Sequence, residues 1–255
     1  MTRVVIHAAR AVLILRLLYP RATPERRRAL MQGWCVKLLA ILNIQPQVEG
    51  DPPSRGENAA MVAANHVSFI DIMLISSVCP TRFVAKSEIR AWPLAGWIAE
   101  HAGTLFIRRD QMRDMARIDA RVREVMGEGD CVGLFPEGVT TEGDELKKFH
   151  TSLFEPAVAN NAHVHPTAIR YEHPDGTLCR EMSFIGDRTF GESIALILRQ
   201  PRVRARIMFA PVVETAGVPR RDVAKAVEAR VASLLGLEPW GMAPKKPADP
   251  PAGSH

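Results

Sequence analysis

His66 and Asp71 lie five residues apart in the stretch Asn65-His66-Val67-Ser68-Phe69-Ile70-Asp71, directly after the apolar run 59–64. An imidazole at the end of a strand, with a carboxylate in the first turn of the next helix, has the make-up of a general base. The acid holds one ring nitrogen as N–H and leaves the other to take a proton. The spacing also has a purely structural reading. Ser68-x-x-Asp71 is a capping-box pattern, in which Asp71 binds helix N–H groups and His66 is a hydrogen-bonded turn residue. Further along, Leu134-Phe135-Pro136-Glu137-Gly138 leaves a second apolar run. Pro136 fixes the chain there, Gly138 permits a close backbone approach, and Glu137 offers a carboxylate that can bond a hydroxyl or anchor a basic residue. Between the two stretches, Gly103–Arg109 ends in Arg108 and Arg109, and Arg82–Lys86 ends in Lys86. Strand alternation sends Arg108 and Arg109 to opposite sides, so at most one reaches a shared pocket. A guanidinium there would clamp a phosphate bidentately.

These residues need strand ends to carry them. Short β-branched apolar runs at 59–64, 81–85, 104–107, 130–135, 164–171 and 203–213 alternate with helical-period stretches at 68–78, 93–101, 110–126, 153–160 and 219–235. The alternation predicts an α/β fold with a mixed, largely parallel central sheet flanked by helices, and chemistry at the carboxyl ends of its strands. At 47% hydrophobic and 24% charged, the 255-residue chain is that of a folded protein, which excludes disorder as the main state. No charge-free apolar run is long enough for a transmembrane helix, so a multi-span protein is excluded. Cys35, Cys79, Cys131 and Cys179 are widely spaced with no CxxC, and read as buried thiols of a reducing compartment. Gly191-x-Ser193-x-Ala195 resembles a nucleophile elbow but no strand leads into it, so Ser193 is expected to cap a helix. His163 and His165 could share a strand face without further ligands at metal spacing, and no metal site is expected.

The basic charge is concentrated at the N-terminus. Residues 1–50 hold eight Lys/Arg against Glu25 and Glu49, while the remainder is close to neutral. No nucleic-acid partner is expected, since such a binder spreads its cations over a folded face. Residues 4–18 are apolar apart from His7, Arg10 and Arg16. On a helix Arg3, His7 and Arg10 cluster, leaving Val5, Ala8, Ala9, Val12 and Leu15 to face elsewhere, as an interfacial helix requires. Tyr19-Pro20 ends that helix, Thr23-Pro24-Glu25 has the grammar of a second N-terminus, and Arg26 to Arg28 would sit at the turn. Each cation beside an anionic leaflet contributes roughly 1 kcal/mol. The plainer alternative is a helical hairpin packed on the body; no cleavage site marks a signal peptide. The expected organisation is an N-terminal amphipathic helical hairpin at 1–46, an α/β domain at 47–238 and a disordered Pro-rich tail at 239–255.

With these motifs the sequence resembles the glycerolipid acyltransferases, typified by 1-acylglycerol-3-phosphate acyltransferase. The resemblance runs from Asn65 to Tyr171 in four blocks: NHVSFID with His66 and Asp71, GTLFIRR with Arg109 in the arginine place, FPEG with Glu137 and Gly138, and the strand Val164-His165-Pro166-Thr167. It implies an acyltransferase moving a fatty acyl group from acyl-CoA or acyl carrier protein to the hydroxyl of a lysolipid. It implies no bound cofactor and no acyl-enzyme. In this reading His66 is the base and Asp71 orients it, Lys86 and Arg109 (with Arg108 beside it) neutralise phosphate, Glu137 positions the acceptor, and backbone near Gly138 helps stabilise the oxyanion. Two departures stand out. Arg108 replaces the usual aspartate, and Glu-Gly-Val-Thr-Thr replaces the family's EGTRS and lacks its arginine. Such a continuation resembles that of members that accept other lysolipids, so 1-acylglycerol-3-phosphate or another lysophospholipid stands as the main expected acceptor and lyso-ornithine lipid as the alternative. A non-catalytic lipid-binding protein and a thioesterase are lesser readings. The expected location is the cytoplasmic face of the inner membrane, peripheral or monotopic, on an anionic lipid surface.

Overall fold

The computed structural model describes residues 1–54, 60–92, 94–107 and 112–241, with 112–118 described by their backbone alone. Its strands are β1 (Ile44–Glu49), β2 (Ala60–Ala64), β3 (Thr81–Lys86), β4 (Leu105–Ile107), β5 (Cys131–Leu134), β6 (His163–Glu172), β7 (Val203–Phe209) and β8 (Val213–Glu214). They form one sheet in the order β1-β7-β6-β2-β5-β3-β4, with β8 also on β6. The five strands from β6 to β4 are mutually parallel. β7 turns the direction by pairing antiparallel with β6, and β1 lies parallel to β7. This is the mixed, largely parallel sheet read from the sequence.

Helices cover both faces. β2 is buried along its whole length, as a strand sandwiched between two layers must be. Its Met61 and Ala63 point into one core, with Val122 and Val125 of α5 (Met112–Gly127) and Val223, Val227 and Val231 of α8 (Arg220–Leu235). Its Ala60, Val62 and Ala64 point into the other, with Leu38 and Leu39 of α2 (Pro24–Ile41), Leu74 and Ile75 of α3 (Ile70–Val78), and Ile197 of α7 (Phe190–Arg199). The predicted helix at 153–160 is a 3-10 turn, Thr151–Phe154, running into α6 (Glu155–Ala159), while α4 (Ala95–His101) matches the stretch before β4.

Three expectations change in detail. The run 203–213 is not one strand. β7 pairs Thr167 with Phe209, whereas β8 pairs Val164 with Val213, so one extra residue is inserted around Pro211. That is a β-bulge, the place in a sheet where proline is tolerated. The boundary expected at residue 46 falls inside β1, an edge strand whose outer residues are exposed and which therefore accepts Pro46. Ser193 does not cap α7. Thr189 does, in a reciprocal box with Glu192, and Ser193 is buried within the helix. All four cysteines are buried and none is in a disulfide. Of the expected tail, 242–255 lies outside the described residues.

The N-terminal pair is α1 (Thr2–Leu13), continued by a π-turn and a 3-10 turn to Arg21, and α2, capped by Thr23 with Pro24 at its first position. His7 departs from the expected polar face. It is buried against α2, with Nε2 on the carbonyl of Trp34 at 3.0 Å, while the Trp34 indole N–H donates to the His7 carbonyl at 3.1 Å. The two rings stack at 4.8 Å. Arg28 is drawn to Asp130 of the body and Arg27 to the carbonyls of Tyr19 and Pro20, so of the three turn arginines Arg26 alone is exposed. The pair is thus packed on the body and still leaves Val5, Ile6, Leu13, Leu17 and Leu18 outward, beside Arg3 and Arg10. Among the described residues no helix is long and apolar enough to cross a membrane.

Candidate active site

His66 leaves β2 at its carboxyl end, and α3 begins four residues later, so the short connection folds Asp71 back beneath the imidazole. Asp71 Oδ2 accepts from His66 Nδ1 at 2.8 Å and from the N–H groups of Val67 and Ser68 at 2.7 and 2.9 Å. Its Oδ1 accepts from the Tyr171 hydroxyl at 2.7 Å. One buried carboxylate thus holds the imidazole and the loop behind it, whereas the capping box is not formed: the two N–H groups belong to the connection before α3, whose first residues have no side-chain cap. The Ser68 hydroxyl takes no part and, among the described residues, has no partner. Tyr171 stays a donor: burial first, then the Asp71 carboxylate, push its hydroxyl well above the usual tyrosine range.

The second motif holds the backbone of His66. Glu137 Oε1 accepts from the His66 N–H at 2.7 Å, and the Thr141 N–H donates to the His66 carbonyl at 2.9 Å. The other oxygen of Glu137 accepts from the N–H of Lys147 at 2.7 Å. Glu137 is buried, and its desolvation, offset in part by those two N–H groups, raises its carboxyl to about 8. Both oxygens are spent on backbone, so this residue braces the loop that carries the histidine. Gly138 has φ 71°, a turn conformation that suits glycine, and its N–H closes the turn onto the Phe135 carbonyl. That N–H is already engaged and is not available to an oxyanion.

The ring itself rests on a stack. His66 lies on Phe135 at 3.9 Å and 8°, and Phe135 lies on Phe83 at 5.5 Å and 11°. Gly133 makes room for this: a Cβ there would come within 2.6 Å of the Phe83 ring. At the neighbouring strand end, Asn65 exchanges two hydrogen bonds with the backbone of Ile169, tying β2 to β6. The result is an imidazole fixed at Nδ1, at its N–H, at its carbonyl and across one ring face, with about a fifth of the side chain exposed. Among the described residues nothing hydrogen-bonds Nε2, which can accept a proton from a hydroxyl laid against it.

The structure thus brings together His66, Asp71 and Glu137. Lys86 ends β3 exposed and, among the described residues, has no ion pair. Arg108 and Arg109 lie outside the described residues. Tyr171, Thr141 and Phe135 belong to the assembly but were not singled out by spacing. Of these only Tyr171 lies on a strand, β6, whose pairing with β2 brings it to Asp71. His163 pairs with Glu214 at the start of β6, and His165 is buried. Beside Phe69, three residues after His66, a cavity of about 400 Å³ opens between Trp92, Phe184, Arg188 and Phe190.

Fold and oriented imidazole together define an α/β enzyme. The acyltransferase family profile matches residues 45–170. The chain is 37% identical over 213 residues to the lyso-ornithine lipid O-acyltransferase of Pseudomonas aeruginosa, covering 84% of this chain and 80% of that protein. It is 36% identical over 193 residues to the 1-acyl-sn-glycerol-3-phosphate acyltransferase of Neisseria meningitidis, covering 76% and 75%. The crystal structure of PlsC, the 1-acyl-sn-glycerophosphate acyltransferase from Thermotoga maritima, shares the fold with a TM-score of 0.64 at 19% identity, over 91% of this chain and 88% of that one. The chain belongs to the PlsC-like acyltransferase family and is an acyltransferase.

Proposed function

We propose that the enzyme transfers a fatty acyl group from an acyl thioester, acyl-CoA or acyl carrier protein, to the free hydroxyl of a lysolipid, and that this lysolipid is lyso-ornithine lipid. His66 Nε2 removes the hydroxyl proton as the oxygen attacks the thioester carbonyl. Asp71 holds Nδ1–H and stabilises the imidazolium, which then protonates the departing thiolate. The donor is already activated, so no enzyme nucleophile is needed. A positioned base of this kind contributes ~10²–10⁴-fold. Glu137 acts by bracing His66 rather than by touching the acceptor. The aromatic cavity beside Phe69 is a place for an alkyl chain. Lys86 and Arg109 remain the candidate phosphate ligands.

The observation that carries the acceptor is the continuation after Gly138. Where a phosphate head would need an arginine, this chain has Thr140, whose hydroxyl donates to the Phe184 carbonyl, followed by Glu142 and Asp144 paired with Arg180. Two acids and a cation suit a head that carries both an ammonium and a carboxylate better than a phosphate monoester. The similarity to the Pseudomonas aeruginosa protein supports the same choice. A second reading, 1-acylglycerol-3-phosphate as acceptor, is favoured by the Neisseria meningitidis relative. The exposed apolar and basic side of α1 fits a peripheral position on an anionic inner-membrane surface, from which a lysolipid is taken without passing its chain through water.

The test is mass spectrometry of products from purified enzyme, an acyl thioester and a panel of lysolipids. Diacylated ornithine lipid should be the dominant product, and His66→Ala should lower its rate by ~10²–10⁴-fold. Phosphatidic acid as the main product would transfer the assignment to the second reading. Thioester cleavage without any lysolipid would make the protein a thioesterase, and unchanged turnover in the variant would remove the base.

A further inference from the structure

Behind Tyr171 the end of β6 turns back on itself. His173 opens a tight turn closed by its N–H on the Thr177 carbonyl, Glu172 bridges Leu178, and the Cys179 N–H donates to the Tyr171 carbonyl at 2.9 Å. The fold therefore sets His173 and Cys179 on the two arms of a hairpin, and the 3-10 turn Arg180–Met182 adds Glu181 from below. Arg204 pins the turn through the carbonyls of His173 and Pro174. Three donor atoms of different chemistry converge there. Glu181 Oε2 lies 3.3 Å from His173 Nε2 and 3.4 Å from Cys179 Sγ, and all three lie within 4.8 Å of one another.

The two separations from Glu181 are close to the edges of a small tetrahedron. Zinc–nitrogen and zinc–oxygen bonds near 2.0–2.2 Å and a zinc–sulfur bond near 2.3 Å put neighbouring ligand atoms roughly 3.4–3.6 Å apart. We propose that His173, Cys179 and Glu181 form a binding site for a divalent transition-metal cation of the zinc type, outside the catalytic centre. Thiolate, imidazole and carboxylate together favour zinc or cobalt over magnesium or calcium. Cys179 is buried, while the His173 and Glu181 side chains are 26% and 39% exposed, so one side stays open for entry and for a water as fourth ligand. Binding breaks the Cys179 S–H bond, forms a metal–sulfur bond and releases one proton to solvent. Without a cation, burial and the neighbouring Glu181 carboxylate push the Cys179 thiol up to about 12. A bound dication offsets both effects.

The metal would staple the segment that carries Tyr171, the hydroxyl that supports Asp71. Its function is thus to stiffen the floor of the site, with no part in the transfer step.

The full-length protein, stripped with a chelator and shown folded by circular dichroism, is titrated with cobalt(II). One equivalent should bind, with a sulfur-to-cobalt charge-transfer band in the near ultraviolet and visible bands of tetrahedral intensity, and zinc should displace it and raise the melting temperature. Cys179→Ser should abolish the charge-transfer band. His173→Ala and Glu181→Gln, at partly exposed positions that tolerate change, should lose one-equivalent binding while staying folded. Failure of the folded wild-type chain to take up an equivalent, a charge-transfer band that persists in Cys179→Ser, or wild-type binding by the other two variants would each overturn the site.

Discussion

The loop around His66 and the helical pair at the N-terminus are built on opposite plans. Around His66 each hydrogen-bonding group of the peptide and one nitrogen of the ring has a partner, and Asp71 alone takes four donors. In α1 the outward side carries Val5, Ile6 and Leu13 beside Arg3 and Arg10, and among the described residues nothing covers it and a single reciprocal contact, His7 with Trp34, joins the helix to α2 by side-chain hydrogen bonds. The difference follows from what each region meets. A base must be held before the substrate arrives, because reorganising it during the reaction raises the barrier. A surface that meets lipid must keep apolar area unspent, and then binds by burying it.

The sharpest way to break the contrast is at Asp71. Asparagine offers one acceptor oxygen and an amide that repels the Nδ1–H, so Asp71→Asn should turn the imidazole or reverse its tautomer and lower turnover ~10²–10⁴-fold, with KM changed far less. Tyr171→Phe removes a single bond to the same carboxylate and should lower turnover by roughly two- to tenfold, the range of one net hydrogen bond. Steady-state kinetics on folded variants measures both. If the two substitutions had equal effects, Asp71 would be a structural cap and the general-base assignment would fall.

A smaller effect is expected on the lipid side. Replacing Leu13 and Leu17 with serine should leave turnover on dispersed short-chain substrate intact and weaken sedimentation with anionic vesicles. The size is about 1 kcal/mol, or roughly fivefold, per side chain. Undiminished vesicle binding would mean that the outward face of α1 meets something other than lipid.

Much of the site could be read from the chain because its residues are local in sequence and their types have few other uses. His66 and Asp71 are joined by one turn, and Glu137 with Gly138 leaves a strand of obvious composition. What escaped was placed by the third dimension. Tyr171 meets Asp71 only because β6 runs beside β2, and His173, Cys179 and Glu181 meet only because Glu172 bridges Leu178. Glu137 was legible as a carboxylate but not as a brace, since the use of its two oxygens depends on where Lys147 returns. In the fold the same limit applies. β2 was evident from its apolar run, while β1 carries Pro46 and a polar outer side, features that an edge strand tolerates and that no periodicity announces. His7 was assigned to the wrong face because its spacing from Arg3 and Arg10 fits a charged stripe. The Trp34 ring, which claims it, lies on another helix.

His7 also supplies the finest test of how α1 is held. Burial, and then the nearby Arg10 and Lys37 charges, lower its value from the usual 6.5, against the Trp34 carbonyl, which raises it. A histidine whose folded value is depressed contributes stability above its unfolded value and loses that contribution as pH falls through 6.5 toward the folded one. The contact between α1 and α2 should therefore be intact at pH 7.5 and weaken toward pH 5, with protonated His7 facing two cations and a packed indole. Hydrogen exchange of residues 2–13 measures this, and protection should fall selectively there while α3 is unchanged. His7→Gln keeps an N–H donor for the Trp34 carbonyl without a titrating ring, so it should make the protection of α1 nearly independent of pH across the same range. Equal pH sensitivity in that variant would move the switch away from His7.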